Sequence, residues 1–167
     1  MKAIHGDITL FSVDVIVNAA NGIGPMGAGV AGAIRRAAGY QLQEEVFRIC
    51  KHPIEAGNFF VSSPGKLSVN GVKYIYHAVT MNKPGGNTNL QLISSSMRKI
   101  LNTITNSSIK SIAFPGLGTG IGGLNKKEVA KTMVKICKEY ENKVDIFIID
   151  IDSDFINLVK KEIELSG

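Results

Sequence analysis

Two cysteines stand in the whole chain, Cys50 and Cys137, and they make neither a CxxC pair nor any other metal-ligand spacing. Cysteine therefore builds no metal centre here, and both are expected to be reduced, half-buried apolar residues in helical stretches. No apolar run reaches the length of about 18 residues that a membrane-spanning helix requires, so no membrane partner is expected. The first residues lead into a strand-like segment and not into a signal peptide, which sets the expectation of a cytoplasmic location. Internal repeats and low-complexity linkers are also lacking; Lys83 to Thr88, with its proline and paired glycines, is expected to be a surface loop.

What is present suits one soluble domain spanning residues 1–167. Hydrophobic residues make up 44% and charged residues 20% of the chain, an ordinary globular composition with length enough to bury a core. The formal charge is +5. Its lysines are scattered over helical segments such as Lys126 to Lys138 and Lys160 to Lys161, so a solvated face explains them as well as a polyanionic partner does.

Apolar and β-branched runs alternate with helical segments, which argues for a sheet covered by helices on both faces, an α/β/α layering. Strands are expected at Lys2 to His5, Val13 to Asn18, Asn58 to Ser62, Tyr74 to Ala78, Ser111 to Phe114 and Asp145 to Ile149. Helices are expected at Val30 to Ala38, closed by Gly39, and at Tyr40 to Lys51, Asn89 to Ile104, Lys126 to Tyr140 and Ser153 to Glu164. In the fourth helix Val129, Met133, Ile136, Cys137 and Tyr140 share one face at spacings of three and four, and that face is core. Ser153 is the expected cap of the last helix, with Ile156, Val159 and Ile163 facing inward.

Two glycine-dense segments each follow a buried-type strand and precede a helix: Asn21 to Gly32 and Gly116 to Gly123. Glycine lets the backbone approach a ligand closely, and the free N–H groups of a helix start bind anions. In open α/β sheets ligands bind beyond the carboxyl ends of the strands, so two such loops on neighbouring parallel strands face each other across one crevice, and a diphosphate is the natural occupant. Neither loop ends in Gly-Lys-Ser/Thr, which disfavours a mononucleotide P-loop and NTP hydrolysis. The pattern G-x-G-x-x-G overlays on Gly27, Gly29 and Gly32. It leaves the polar Asn18 to Asn21 segment unexplained, and a redox dinucleotide role is disfavoured with it.

Gly6-Asp7-Ile8-Thr9, Val15-Ile16-Val17-Asn18-Ala19-Ala20-Asn21, Gly29-Val30-Ala31-Gly32-Ala33-Ile34 and Phe114-Pro115-Gly116 through Gly123, in this order and spacing, resemble the macro domain family over almost the whole chain. The resemblance implies a three-layer α/β/α sandwich with a six-stranded mixed central sheet and an ADP-ribose cleft. A monomer with no cofactor and no metal is the expectation set beside it. Asp7 resembles the acid that accepts from the adenine amino group, with the Ile8 backbone beside it; outside the family, an aspartate after glycine at a strand end is more often a turn residue. Gly27, Gly29 and Val30 correspond to the first phosphate loop, and Gly118, Thr119, Gly120, Ile121 and Gly122 to the second. The adenine cover lies just after the last strand, where the chain offers Asp150 and Ile151, with Phe155 a turn later. Asn21, beside Ala20, resembles the asparagine that touches the distal ribose in members that cleave ADP-ribosyl bonds. It equally suits satisfying backbone groups in a strand-end turn, and Asn18 is assigned that structural job.

Many hydrolytic members read Gly-Gly-Gly-Val-Asp-Gly-Ala-Ile-His where this chain reads Gly27-Ala28-Gly29-Val30-Ala31-Gly32-Ala33-Ile34-Arg35, so the acid is replaced by Ala31. A branch that forms a lysine adduct with the ribose has its lysine and aspartate where Met81 and Gly122 stand, with Lys83 close by. The viral branch also carries alanine at the Ala31 position and is hydrolytic; there geometry and the α-phosphate oxygens, not a strong base, position the water. The resemblance leaves two functions: a hydrolase acting on ADP-ribosylated protein side chains or small ADP-ribosyl metabolites, or a reader of ADP-ribose or ADP-ribosylated protein. Asn21 is the catalytic candidate for the first. ADP-ribosylated nucleic acid is a further partner that the resemblance leaves open.

Overall fold

A computed structural model describes residues 1–167. Six strands, Lys2–His5 (β1), Val15–Asn21 (β2), Phe59–Ser62 (β3), Tyr74–Met81 (β4), Ser111–Phe114 (β5) and Asp145–Asp150 (β6), form one sheet in the order β1-β6-β5-β2-β4-β3. All neighbours are parallel except β3, which runs antiparallel to β4. The helices are Gly29–Ala38 (α1), Gln41–Ile49 (α2), Leu90–Thr105 (α3), Lys126–Tyr140 (α4) and Ser153–Ser166 (α5).

Side chains on a strand alternate between faces, so a strand covered on both sides reads apolar throughout yet splits between two cores. Val15 and Val17 of β2 join a cluster with Ile93, Met97 and Ile100 of α3, Met133 of α4 and Phe155 of α5. Ile16, between them in sequence, joins a second cluster with Ile34 of α1 and Leu42 and Val46 of α2. The three layers are therefore α1–α2, the sheet, and α3–α4–α5. The mixed α/β/α sheet implied by the resemblance is the fold observed.

Several element ends shift by one or two residues, β2 starting at Val15 and not Val13, and four larger details differ from the expectation. First, β2 and β4 run on to Asn21 and Met81, because the two strands hold each other in register from Val15↔Tyr74 to Asn21↔Met81, past the point where the apolar run ends; a bulge falls between Ala20 and Asn21. Second, α5 is capped by Asp152, not Ser153: its carboxylate accepts from Asp154 N–H at 3.0 Å and Phe155 N–H at 3.2 Å, and Ser153 is the first helical residue. Third, both cysteines are buried, Cys137 completely and Cys50 nearly so, and burial pushes both thiols up, that of Cys137 to about 12. Cys50 closes α2 instead of lying within it. Fourth, Asn18 does not serve backbone groups: its amide pairs with His77. As expected, Gly39 closes α1 with φ of 101°, a left-side conformation that favours glycine.

Candidate functional site

A cleft of about 810 Å³ lies across the carboxyl ends of the parallel strands. Its walls come from the segments that follow β1, β6, β5, β2 and β4, so its long axis crosses the sheet. Gly6, Asp7 and Ile8 mark one end with Ile151; Asn21, Met81, Pro84 and Gly85 mark the other. Every residue assigned to the ligand from sequence lines this one cleft, including Ala20, Gly27, Gly29 and Val30 from the β2–α1 loop and Gly118, Thr119, Gly120, Ile121 and Gly122 from the β5–α4 loop. The two loops meet because β2 and β5 are neighbours.

The start of α1 opens onto the cleft. Helices α3, α4 and α5 begin at Asn89, Asn125 and Asp152, whose side chains accept from first-turn N–H groups. The residue before α1 is Ala28, in extended conformation, and it has nothing with which to cap. The first N–H groups of α1 therefore face the cleft without a side-chain partner, carrying the positive end of the helix dipole. A helix end left open beside a cavity suits an anion. Opposite it, Gly118 has φ of 76° and a Cβ there would meet Leu124 Cδ1 at 2.8 Å, so only glycine lets the second loop turn this tightly. Gly123 N–H donates to Gly120 O at 3.0 Å and Leu124 N–H to Gly118 O at 2.9 Å, which closes the turn and leaves Thr119 to Gly122 facing the cleft.

Asp7 combines both of its alternatives. One carboxylate oxygen accepts from Thr9 N–H at 2.9 Å and Thr9 Oγ1 at 2.7 Å, capping the short 3-10 turn Ile8–Leu10. The other has no protein partner, and the residue lines the cleft, so one acceptor is free for a ligand donor. Asn21 is committed to the loop: its Oδ1 accepts from Ile23 N–H at 3.1 Å and Gly24 N–H at 2.8 Å, and its Nδ2 donates to Pro25 O at 2.9 Å. Of the three covers proposed for the base, Phe155 is eliminated, since it is 0% exposed and belongs to the core beneath Gly116. Asp150 turns its carboxylate to Gly116 N–H at 2.9 Å and Asp152 N–H at 2.8 Å. Ile151, 76% exposed, is the apolar side chain left standing at that end.

Charge in the cleft is one-sided. Asp7, Asp150 and Asp152 gather at the β1–β6 end, where Lys126 holds Asp152 at 2.6 Å and keeps its carboxyl below the usual range, chiefly through that hydrogen bond. At the β2–β4 end the lining is Asn21, Pro25, Ala31, Met81, Pro84 and Gly85, with no carboxylate, and Lys83 stays outside. Two residues were not singled out from sequence. Arg36, one turn further along the same face of α1, is the one cation lining the cleft. Gln43 of α2 reaches the first loop, accepting from Met26 N–H at 2.9 Å and donating to Gly24 O at 3.0 Å. The helical spacing from Gly29 and Val30 through Ala33 marks Arg36 in retrospect; nothing local marks Gln43.

The family model described as Macro domain matches residues 17–133. An uncharacterized protein of Aquifex aeolicus is 34% identical over 99% of this chain and 98% of its own length. A protein of Citrobacter rodentium named O-acetyl-ADP-ribose deacetylase is 36% identical over 84% of this chain and 79% of its own. Among solved structures, the Oceanobacillus iheyensis macrodomain with ADP superposes with a TM-score of 0.86 at 25% identity, covering 98% of this chain and 90% of that one. With its sheet order, its paired glycine loops and these relatives in agreement, the chain belongs to the macro domain family.

Proposed function

We propose that this protein binds ADP-ribose, the pyrophosphate lying between the open start of α1 and the β5–α4 loop, the adenine at the Asp7–Ile151 end and the distal ribose at the Asn21–Met81 end. The observation that carries it is the uncapped N-terminus of α1 facing Thr119 to Gly122 across the cleft. The relative named O-acetyl-ADP-ribose deacetylase and the solved macrodomain bound to ADP support it. The free Asp7 oxygen accepts the exocyclic amino group, Ile8 and Ile151 supply apolar cover, and the loop N–H groups neutralise the diphosphate in a partly enclosed site.

The chemistry we assign is hydrolysis of a bond at the distal ribose, in an ADP-ribosylated protein side chain or a small acylated metabolite. With no carboxylate at that end, backbone N–H groups and the ligand's own phosphate oxygens orient the water, and a modest rate follows. The absence of an acid at Ala31 favours a second reading, that of a non-catalytic reader. Incubation with O-acetyl-ADP-ribose and separately with mono-ADP-ribosylated protein, followed by detection of free ADP-ribose, decides between them. Release faster than the buffer control supports the hydrolase; tight binding with no release from either substrate leaves the reader. No calorimetric heat with ADP-ribose at millimolar concentration would remove both.

A further inference from the structure

The first loop is rich in glycine, with Gly22, Gly24, Gly27 and Gly29 between β2 and the first turn of α1. Such a segment samples many backbone conformations unless something holds it. Two side-chain amides do. Asn21, at the end of β2, binds Ile23 N–H, Gly24 N–H and Pro25 O; Gln43, on α2, binds Gly24 O and Met26 N–H. Each group from Gly24 to Met26 that turns toward these amides is taken by one or the other, and Gly24 is gripped from both sides. Immediately beyond, Gly27, Ala28 and Gly29 are exposed, and neither glycine has an atom within 4 Å of where a Cβ would stand. The loop is thus a clamped stem carrying a bare tip.

We infer that Gln43 is a positioning residue for this loop, forming with Asn21 a two-amide clamp that aims the N–H groups of the tip and of the first turn of α1 at the ligand's pyrophosphate. The inference rests on the ADP-ribose reading. An amide suits the job because it presents a donor and an acceptor in one plane. Glutamate at 43 still accepts from Met26 N–H but cannot donate to Gly24 O. An alanine or methionine does neither, and leaves both backbone groups to water. Without the clamp, the tip is ordered only when the ligand arrives, and that ordering is subtracted from the binding free energy. Asn21 thereby acts through the loop, since its amide oxygen already accepts twice from the stem.

The test uses the full chain with Gln43→Ala, Gln43→Glu, Asn21→Ala and the double alanine variant. ADP-ribose affinity is measured by calorimetry well below each melting temperature, together with the melting temperatures and the hydrogen-exchange rates of the Gly24 and Met26 amides. Expected for Gln43→Ala are affinity about tenfold weaker, the size of one net hydrogen bond, faster exchange at Met26, and a smaller loss in Gln43→Glu. The double variant is expected to lose less than the product of the two single factors, because either change alone releases the stem. A residue that merely stabilised the fold would lower the melting temperature and leave the affinity of the folded protein untouched. Gln43→Ala affinity within twofold of wild type, or single factors that multiply in the double variant, overturns the clamp. Failure of the wild type to bind ADP-ribose overturns the proposed function and the clamp's purpose together.

Discussion

Asn18 and His77 face each other in the β2–β4 register, and Asn18 Nδ2 lies 3.1 Å from His77 Nδ1, both residues fully buried. The far ring nitrogen lies 2.8 Å from Ser62 Oγ on β3, whose hydroxyl donates to Ser63 O at 3.2 Å. A consistent run of donors goes from Asn18 through neutral His77 and Ser62 to the Ser63 carbonyl, crossing three strands. Phe60 stacks on the imidazole at 4.4 Å between ring centroids. A serine, a histidine and an asparagine in sequence of contact resemble a catalytic triad, but no substrate reaches them. They fix the register of three strands, since a one-residue slip would strand all three polar groups in the apolar core.

Burial lowers the His77 pKa from 6.5 to about 3, and this fixes a pH dependence of stability. Between those values the unfolded chain binds a proton that the folded chain refuses, so stability rises with pH there. The contribution is complete above about pH 6.5 and is lost toward pH 3, by at most about 1.4 kcal/mol per pH unit. Melting temperatures between pH 7 and pH 4 are expected to fall more steeply for the wild type than for His77→Gln. Parallel curves would mean that His77 titrates normally.

Asp7 holds a turn with one oxygen and leaves the other free in the cleft, and two substitutions separate the turn from the proposed contact with the adenine. Asp7→Ala is expected to weaken ADP-ribose binding by about 1 to 3 kcal/mol, the cost of losing a charge-assisted hydrogen bond, and also to loosen the Ile8–Leu10 turn. Asp7→Asn keeps an acceptor for Thr9 N–H and so keeps the turn, yet loses comparable affinity for ADP-ribose. Unchanged affinity in both variants confines Asp7 to the turn.

At Gly120 a Cβ would meet no atom within 4 Å, so Gly120→Glu is expected to fold with a melting temperature near that of the wild type. The carboxylate would nevertheless enter the space proposed for the pyrophosphate, and repulsion in a partly enclosed site is expected to abolish binding. Calorimetry and a melting curve on the same preparation read both effects. Retained ADP-ribose binding would place the diphosphate elsewhere.

Ala28 already has the extended conformation of a helix cap, with φ −142° and ψ 174°. Ala28→Asp is therefore expected to cap α1 and raise stability by about 0.5 to 2 kcal/mol, while its carboxylate occupies the N–H groups proposed to hold the phosphate. A variant that melts higher and binds ADP-ribose at least tenfold more weakly is the expected outcome. A gain in stability with unaltered affinity would show that the start of α1 does not hold the anion.

Strand and helix positions were legible because both cores impose a period: Val15, Ile16 and Val17 are apolar in a row since each face of β2 is covered. The cleft was legible because glycine loops after buried strands have few other uses in pairs. What stayed hidden depends on partners distant in sequence. Asp150 reads as a candidate cover for the base until Gly116 N–H is found against its carboxylate. Phe155 reads as a stacking ring until its place under Gly116 is seen. Gln43 sits among surface-type residues of α2, and only the packing of that helix beside the β2–α1 loop gives its amide a purpose.

The pairing of β1 with β6 has a consequence for how the protein comes into being. Gly6 N–H donates to Asp150 O, and His5 Nε2 lies 2.9 Å from Ile151 O, a contact that spans 146 residues. The end of the cleft proposed for the adenine is thus made from two segments that lie far apart in sequence. During synthesis the glycine loops after β2 and β5 emerge well before that end exists, and closing so long a stretch of chain is slow. A chain in which β6 has not joined β1 lacks that end of the cleft, so capture of ADP-ribose in the proposed pose reports that these two strands have paired.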